Sequence, residues 1–181
     1  MKIMDEYKNA LPLIAISLVI FWILNFMLLF YFILYLIIAN IIDYKLLKNF
    51  YLKKHKWDLN ICCGETDGGG INADIVKRNI PNFVLIKNIY ELPFKDKEFK
   101  NVICSHTMEH VENPYKFYKE LKRISKNVVL LIPPLWDISC MGAFKFHKWQ
   151  FLTLKTNHFN KLPSKFKLPF WWYQERFGQQ I

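Results

Sequence analysis

The chain has 181 residues, 52% of them hydrophobic, and a formal net charge of +10 at pH 7. The length favours one domain, and attraction to anionic lipid headgroups explains the positive charge. No recognised nucleic-acid-binding motif accompanies the charge, which disfavours nucleic acid as a partner. The four cysteines fit free thiols in a reducing compartment. Because Cys62 and Cys63 are adjacent, zinc-site spacing is lacking, and no metal site is predicted.

An uncharged stretch of 32 residues, 11–42, follows a short N-terminal flank, 1–10. A run this long and apolar predicts a membrane segment, whereas the apolar region of a signal peptide is far shorter. As one helix it would be roughly 48 Å long, against a hydrocarbon core of ~30 Å. Either one tilted helix spans the membrane or the chain makes a hairpin near Asn25. The single transmembrane helix is favoured, because two full spans do not fit.

The flanking charges predict the orientation of this segment. Residues 1–10 hold two lysines and two acids, whereas residues 43–56 hold five lysines against Asp43. By the positive-inside tendency, the C-terminal domain faces the cytoplasm in either topology. Residues 43–56 have apolar side chains at helical spacing, which predicts a basic juxtamembrane helix. This helix either lies at the headgroup level or is the amphipathic first helix of the next domain.

Short apolar runs and turn signals follow from Trp57. The runs cover 57–62, 71–74, 83–87, 99–105 and 127–132, and a helical pattern covers 114–124. Strands buried on both faces have such continuous runs, and their alternation with helices predicts a parallel sheet. We therefore expect residues 57–143 to form an α/β fold, a reduced doubly wound sheet behind the N-terminal membrane helix.

Residues 144–181 differ in composition, with eleven aromatic residues and seven Lys or Arg against one Glu. Runs 150–154 and 158–162 predict a hairpin around Thr156 and Asn157. This element could be an antiparallel edge of the sheet, a lid or a membrane-touching patch. The aromatic residues of the tail, among them Trp171, Trp172 and Tyr173, either contact the bilayer or complete the core of the domain.

Small and polar residues stand where the predicted strands end, and ligands bind at this edge of parallel α/β sheets. The first strand runs into Cys62, Cys63 and Gly64, and small residues let the backbone approach a ligand closely. Asp74 ends the second strand, where a carboxylate can accept hydrogen bonds from ribose hydroxyls. The alternative for Asp74 is a helix cap, which is the more frequent role of an aspartate there.

Residues 88–134 contain an ordered series of short motifs. A polar residue is followed by Leu-Pro-Phe, a charged turn, a strand ending in Ser-His, then Glu-His-Val, a helix with Glu-Leu and Arg, and a strand running into prolines. From Trp57 to Pro134 the chain thereby resembles the class I S-adenosylmethionine-dependent methyltransferases, in particular short, type 11-like domains that modify small molecules and lipids. The matching residues are Leu92-Pro93-Phe94, Phe99, Ser105-His106, Glu109-His110-Val111, Glu120-Leu121 and Arg123.

The resemblance implies a Rossmann-like methyltransferase sheet with S-adenosyl-L-methionine as cofactor, and it assigns residues to each part of that cofactor. Cys62 and Gly64 would line the methionine part. Asp74 would hold the ribose hydroxyls. Asn88 and Ile89 would border the adenine.

By the same resemblance, Ser105 and His106 would form the floor of the site beside the transferred methyl group. His106 is the candidate catalytic base for an acceptor that must lose a proton, and its alternative role is to shape the pocket. Glu109 and His110 are expected to cap or orient the following helix.

The chain also departs from the family pattern. Asn60 and Asn88 stand where acids are usual, and Cys62 replaces a glycine. Only nine residues, 62–70, separate the first two strands. Because a parallel crossover with a helix needs a dozen or more residues, we expect the first helix to be missing or vestigial, and the helix N-terminus that would face the cofactor to be lost with it.

The predicted function is S-adenosylmethionine-dependent methyl transfer at the membrane, onto a lipid, a glycan-lipid or another small acceptor. The alternative is a catalytically degenerate methyltransferase fold that serves as a binding or scaffold protein at the membrane. A nucleic-acid methyltransferase fits the basic charge but is disfavoured by the membrane segment.

Overall fold

A computed structural model of the chain describes residues 2–54, 57–138 and 147–169. The chain forms two compact units, Met1–Ile38 and Ala39–Ile181. The first is helical, and the second contains the α/β domain.

The first unit is formed by helix α1, which runs without a break from Lys2 to Asn40 and whose last two residues belong to the second unit. Within it the Asn25 side chain donates a hydrogen bond to the Phe21 carbonyl at 2.7 Å, so the hairpin alternative is not found. Between Leu13 and Ile38 nearly all the large apolar side chains of this helix are exposed, Leu28 to 74%. By length and composition, the helical stretch Pro12–Lys53 is a candidate membrane span, with a mean hydropathy of 2.7.

In the second unit, the end of α1 is followed by a π-helical segment, Ile41–Leu47, and by helix α2, Lys48–Lys54. Leu52 of α2 is buried in a cluster with Ile103 and Leu131 of the sheet. The Thr156 hydroxyl donates to Asp43 Oδ1 at 2.9 Å. These contacts hold the segment against the sheet of the domain.

The central sheet has six strands in the order β3-β2-β1-β4-β5-β7. All neighbours are parallel except β7, which is antiparallel to β5. Helix α3, Pro114–Ile124, connects β4 to β5. The predicted α/β fold is confirmed, since the order of the first five strands is that of a doubly wound sheet. The strands are β1 Leu59–Ile61, β2 Ile71–Asp74, β3 Phe83–Leu85, β4 Phe99–Ser105, β5 Ser125–Leu131 and β7 Asn157–Phe159.

The predicted C-terminal hairpin is wrong. Strand β6, Trp149–Phe151, pairs with β8, Lys165–Lys167, in a separate two-stranded sheet. Strand β7 pairs with β5 instead, because the open edge of β5 offers backbone groups that need partners. Of the three alternatives for this region, the antiparallel edge of the sheet is the one found. Residues 170–181, and so Trp171, Trp172 and Tyr173, lie outside the described part of the chain.

No helix connects β1 to β2; residues 62–70 form a loop, as predicted from its length. Side-chain hydrogen bonds hold this loop in place of a helix. Asn60 Nδ2 donates to the Thr66 carbonyl at 2.8 Å, and Asn72 Oδ1 accepts from the Gly68 amide at 2.9 Å. A Cβ on Gly70 would lie 2.1 Å from the Trp57 carbonyl oxygen, so only glycine fits there.

Two of the motif residues shared with methyltransferases are structural. Glu120 and Arg123 of α3 hold the Leu-Pro-Phe loop that precedes β4. Glu120 Oε1 accepts from the Leu92 amide at 2.7 Å, and the Arg123 guanidinium donates to the carbonyls of Leu92 and Phe94 at 3.1 and 2.9 Å. The other face of α3 buries Phe117 and Leu121 in the core.

Candidate functional site

A cavity of about 800 Å³ opens at the carboxyl ends of β1 and β4, where the strand order of the sheet reverses. Ligands of open α/β sheets bind at this switch point. Five segments of the second unit line the cavity. They contribute Asn40, Tyr44, Lys45, Lys48 and Asn49; Cys62 to Thr66; Arg78; Ser105, His106, Glu109 and His110; and His147. A smaller cavity of about 140 Å³ shares several of these residues and includes Asp74.

The loop after β1 has an unusual backbone. Cys62 and Gly64 both have positive φ, 53° and 55°, a conformation that glycine adopts most readily. The departure from the family glycine at Cys62 therefore introduces local strain. Burial, with the neighbouring Cys104 and Asp74, raises the pKa of the Cys62 thiol well above its usual range. Cys62 is thus a protonated thiol that lines the site and not a thiolate nucleophile.

Asp74 is buried at the end of β2. Its Oδ2 accepts from the Gly64 amide at 2.8 Å, and its Oδ1 accepts from the Val76 amide at 3.1 Å. The carboxylate therefore holds the β1 loop and caps no helix, since no helix follows β2 before Pro114 in this continuously described stretch. Each oxygen keeps capacity for a further hydrogen bond, so the ribose role stays a prediction.

The structure does not bring Asn88 and Ile89 to the cavities. Neither residue belongs to the lining of the two cavities described above. Ile89 is buried in the hydrophobic core, and the Asn88 side chain accepts a hydrogen bond from the Tyr90 amide at 2.9 Å in a turn. The adenine contact therefore remains a prediction without a geometric counterpart.

Ser105 and His106 lie together at the end of β4, as predicted from their sequence position. His106 has a φ of 50°, a sparsely populated conformation for a residue with a side chain. Its ring packs edge-on against the Tyr44 ring, with the two ring centres 5.1 Å apart. Within the described residues, the buried atoms Ser105 Oγ and His106 Nε2 have no hydrogen-bond partner. Strain and unsatisfied polar atoms of this kind concentrate at functional sites.

Burial, followed by the charge of Lys48 and the neighbouring histidines His110 and His147, lowers the pKa of His106 to about 3. The ring is therefore neutral at pH 7 and is a weak base. It suits a role in orienting an acceptor by hydrogen bonding, and it takes a proton only from an acidic group.

Of the two roles expected for Glu109 and His110, capping the following helix is wrong, because Asn113 caps α3 by accepting from the Lys116 amide at 2.9 Å. The orienting role stays a prediction. Glu109 is only 2% exposed, and neither carboxylate oxygen accepts a hydrogen bond among the residues described. His106 Nδ1 and His110 Nε2 each lie 3.8 Å from Glu109 Oε1. Burial raises the pKa of Glu109 to about 8.

One side of the cavity, here called the helical wall, is formed by the segment that follows α1. Strand-end motifs could not predict it, because this segment contains no strand. Tyr44 and Lys48 come from the segment after α1, and Lys48 Nζ lies 4.2 Å from the centre of the Tyr44 ring. Arg78, from the loop after β2, adds another positive charge. The lysine excess of residues 43–56 was a signal for this wall, but it fitted lipid headgroups equally well.

The residues present fit a cofactor of the predicted kind. The larger cavity lies within the range of roughly 300–1,000 Å³ that small-molecule sites occupy. Its floor carries the orphaned polar atoms of Ser105 and His106, and the adjoining small cavity carries the Asp74 carboxylate. Cys62 and Gly64 lie between them, in the lining of both cavities.

Comparisons with known proteins agree with the resemblance. The profile of a family described as "Methyltransferase domain" matches residues 65–132. The uncharacterised protein MJ0638 of Methanocaldococcus jannaschii is 37% identical over 99 residues, which covers 48% of this chain and 44% of that protein. The chain thus spans less than half the length of this relative.

Among solved structures, a methyltransferase from Thermotoga maritima described as a possible histamine N-methyltransferase has 18% identity and a TM-score of 0.40, over 48% of this chain and 50% of that one. A methyltransferase from Aquifex aeolicus has 18% identity and a TM-score of 0.37, over 51% and 66%. Residues 65–132, in the α/β part of the chain, are thus similar to a methyltransferase domain, in agreement with the S-adenosylmethionine-dependent family that the sequence motifs indicate.

Proposed function

We propose that this protein transfers a methyl group from S-adenosylmethionine to a small acceptor held at a membrane, such as a lipid or a glycan-lipid. The cavity at the carboxyl ends of β1 and β4 carries the proposal. Ser105, His106 and Glu109 each place at its floor a buried polar atom that finds no partner in the described residues. A ligand that supplies the missing hydrogen bonds is stabilised by them.

When bound, S-adenosylmethionine supplies a methyl group on a sulfonium, which is already a strong electrophile. The residues of this chain then have to orient an acceptor, and correct placement accounts for much of a rate enhancement. Cys62 and Gly64 are proposed for the methionine part of the site, and Asp74 for the ribose hydroxyls. His106 orients the acceptor and holds its proton where the acceptor is acidic.

The membrane part of the proposal is supported by α1 and by the residues that follow it. The apolar side chains of α1 are exposed, and the lysine-rich residues 43–56 come directly after the apolar stretch. Lys45 and Lys48 of that segment line the cavity. We propose that α1 spans the membrane, that the C-terminal domain faces the cytoplasm, and that the acceptor is membrane-associated. Retention of the full chain with membranes after carbonate extraction tests the first step, and release into the soluble fraction contradicts it.

Calorimetry of the full chain in detergent with S-adenosylmethionine tests the cofactor site. Asp74→Ala is expected to weaken binding by about 1.5–3 kcal/mol, the range for hydrogen bonds to charged groups. Asp96→Ala, which removes an exposed carboxylate, is the control and is expected to bind as the unaltered chain does. Unchanged binding by Asp74→Ala removes this residue from the site.

A catalytically degenerate binding or scaffold protein is the second candidate, and the loop of residues 62–70 favours it. The missing helix takes away the backbone amides of a helix N-terminus, which bind anionic groups. The same titration separates the two functions. If the unaltered chain shows no heat of binding at cofactor concentrations that would saturate an intact site of this family, the result supports the scaffold function.

A further inference from the structure

Glu109, His110 and His147 form a cluster on one side of the cavity, and the roles proposed above leave its two histidines unassigned. One ligand atom of each residue lies within 4.8 Å of the ligand atoms of the other two. The rings of His110 and His147 meet edge to face with their centres 4.7 Å apart. From the sequence no metal site is predicted, and local motifs do not reveal this cluster, because His147 is distant in the chain from the Glu-His pair.

The backbone fixes the two segments that carry the cluster against each other. The Glu109 carbonyl accepts from the amides of Lys148 and Trp149 at 2.7 and 3.1 Å. The Trp149 indole N–H donates to the Val111 carbonyl at 2.9 Å. The Lys148 side chain also forms an ion pair with Glu112. The relative placement of the three side chains is therefore built into the fold.

The carboxylate of the cluster has unused bonding capacity. Both Glu109 oxygens are buried, and neither has a hydrogen-bond partner among the described residues. A buried carboxylate without partners is expensive. A further carboxyl group lies near, since Asp43 interacts electrostatically with Glu109. A bound cation would satisfy this arrangement.

We propose that Glu109, His110 and His147 bind a divalent transition-metal ion, with Zn²⁺ as the reference ion. Two imidazoles and one carboxylate are the ligand set of open zinc sites, which keep a further position for water or substrate. Zinc bonds of about 2.0–2.2 Å place tetrahedral ligands roughly 3.4 Å apart. Glu109 Oε1 and His110 Nε2, 3.8 Å apart, already approach this spacing. The open position would face the cavity that the three residues line.

Lys48 is the feature that opposes a cation, since it lines the same cavity and interacts electrostatically with Glu109. Its charge lowers the affinity for a metal ion without removing a ligand. Lys48→Met is therefore expected to bind Zn²⁺ several-fold more tightly than the unaltered chain, which a site elsewhere in the protein would not show.

The test is equilibrium dialysis and calorimetry of the full chain in detergent, stripped with chelator and titrated with Zn²⁺ in the absence of S-adenosylmethionine. We expect one ion per chain, and at least tenfold weaker binding by Glu109→Gln and by His147→Asn. His158→Asn is the matched control, because His158 lies on β7 and bonds to Thr153 and Lys155. No bound Zn²⁺, or equal binding by all variants, overturns the proposal.

Two measurements on the unaltered chain keep the proposal falsifiable if the variants do not fold. Zn²⁺ is expected to protect His110 and His147, but not His158, from carbethoxylation mapped by mass spectrometry, and equal modification overturns the site. The spectrum with Co²⁺ is expected to lack a thiolate charge-transfer band. Such a band would place the ion on the cavity cysteines Cys62 or Cys63 instead. Because no methyl donor is present, these results do not depend on the proposed methyl transfer.

Discussion

The β1–β2 connection and the segment after β4 are both rich in polar side chains, but only the first has its polar groups satisfied internally. In the β1–β2 connection, Asn72 Nδ2 donates to Asp67 Oδ1 and to the Pro81 carbonyl at 2.8 and 2.9 Å. Asn72 Oδ1 accepts from the Gly68 amide at 2.9 Å. This network holds the β1–β2 connection in place where a helix is missing.

At and after the end of β4, several polar groups are buried without such partners. Ser105 Oγ, His106 Nε2 and both oxygens of Glu109 have none within the described residues. Most buried polar groups in native proteins are hydrogen-bonded. The difference therefore distinguishes polar residues that hold the fold together from polar residues that are available to a ligand. A polar residue at a strand end indicates a ligand only where the fold itself leaves it unsatisfied.

The largest expected effect lies in the satisfied region. Asn72→Ala removes the partners of the Gly68 amide and the Pro81 carbonyl. Because each buried group left without a partner costs about 1–3 kcal/mol, we expect a loss of about 3–4 kcal/mol in the free energy of unfolding. Thermal unfolding of the full chain in detergent, followed by near-UV circular dichroism, measures it.

Asn88→Ala is the control for that substitution. Asn88 is exposed and its side chain accepts one hydrogen bond in a turn, so we expect a loss of about 1 kcal/mol or less. Equal losses from the two substitutions would show that the Asn72 network does not hold the loop.

A smaller, pH-dependent effect is expected at Glu109. The pKa of this buried carboxyl is about 8 in the folded protein, against an ordinary value of 4.5. The folded protein therefore keeps a proton that the unfolded chain releases, and stability falls as pH rises from 4.5 to 8. Glu109→Gln lacks this loss. Between pH 6.5 and 8 the variant is expected to gain about 1–2 kcal/mol relative to the unaltered chain.

The pH window for this measurement is set by His106. Its pKa is about 3 in the folded protein and 6.5 ordinarily, so the unfolded chain binds the extra proton and stability falls as pH drops below 6.5. Above pH 6.5 that contribution is constant. Urea unfolding with chelator present, at pH 6.5 and 8, isolates Glu109, and Glu91→Gln, at an exposed position, is the control. A stability difference that does not change with pH would contradict the buried neutral carboxyl.

Sequence patterns predicted most of the sheet because the strands are continuous apolar runs bounded by turn residues. The predicted bounds of β2, β4 and α3 are those found. The partner of β7 was not predictable from the local turn at Thr156, since pairing depends on the open edge of β5. The short 62–70 connection, by contrast, predicted the missing helix from chain length alone.

The site was predictable only in part. Strand-end position placed Cys62, Ser105 and His106 at the cavity. It missed Tyr44 and Lys48, because nothing in their local sequence indicates that a segment after the apolar helix packs beside the carboxyl end of β4. Glu109 could be interpreted as a cap because acids are common before helices, and only burial shows that it has no such role.

The smallest effect on stability is expected from Ser105→Ala. The Ser105 hydroxyl is buried and has no partner in the described structure, so its removal takes away a desolvated group and breaks no hydrogen bond. We expect the free energy of unfolding to stay the same or to rise by up to about 1 kcal/mol. Thr107→Val is the matched comparison, because the Thr107 hydroxyl donates to the Ser105 carbonyl at 3.1 Å, and we expect it to lose about 1 kcal/mol. The same Ser105→Ala protein should bind S-adenosylmethionine several-fold more weakly in calorimetry, if the hydroxyl meets the cofactor. Loss of stability together with unchanged binding would mean that Ser105 has a structural role, like the polar residues of the β1–β2 connection, and does not contact the cofactor.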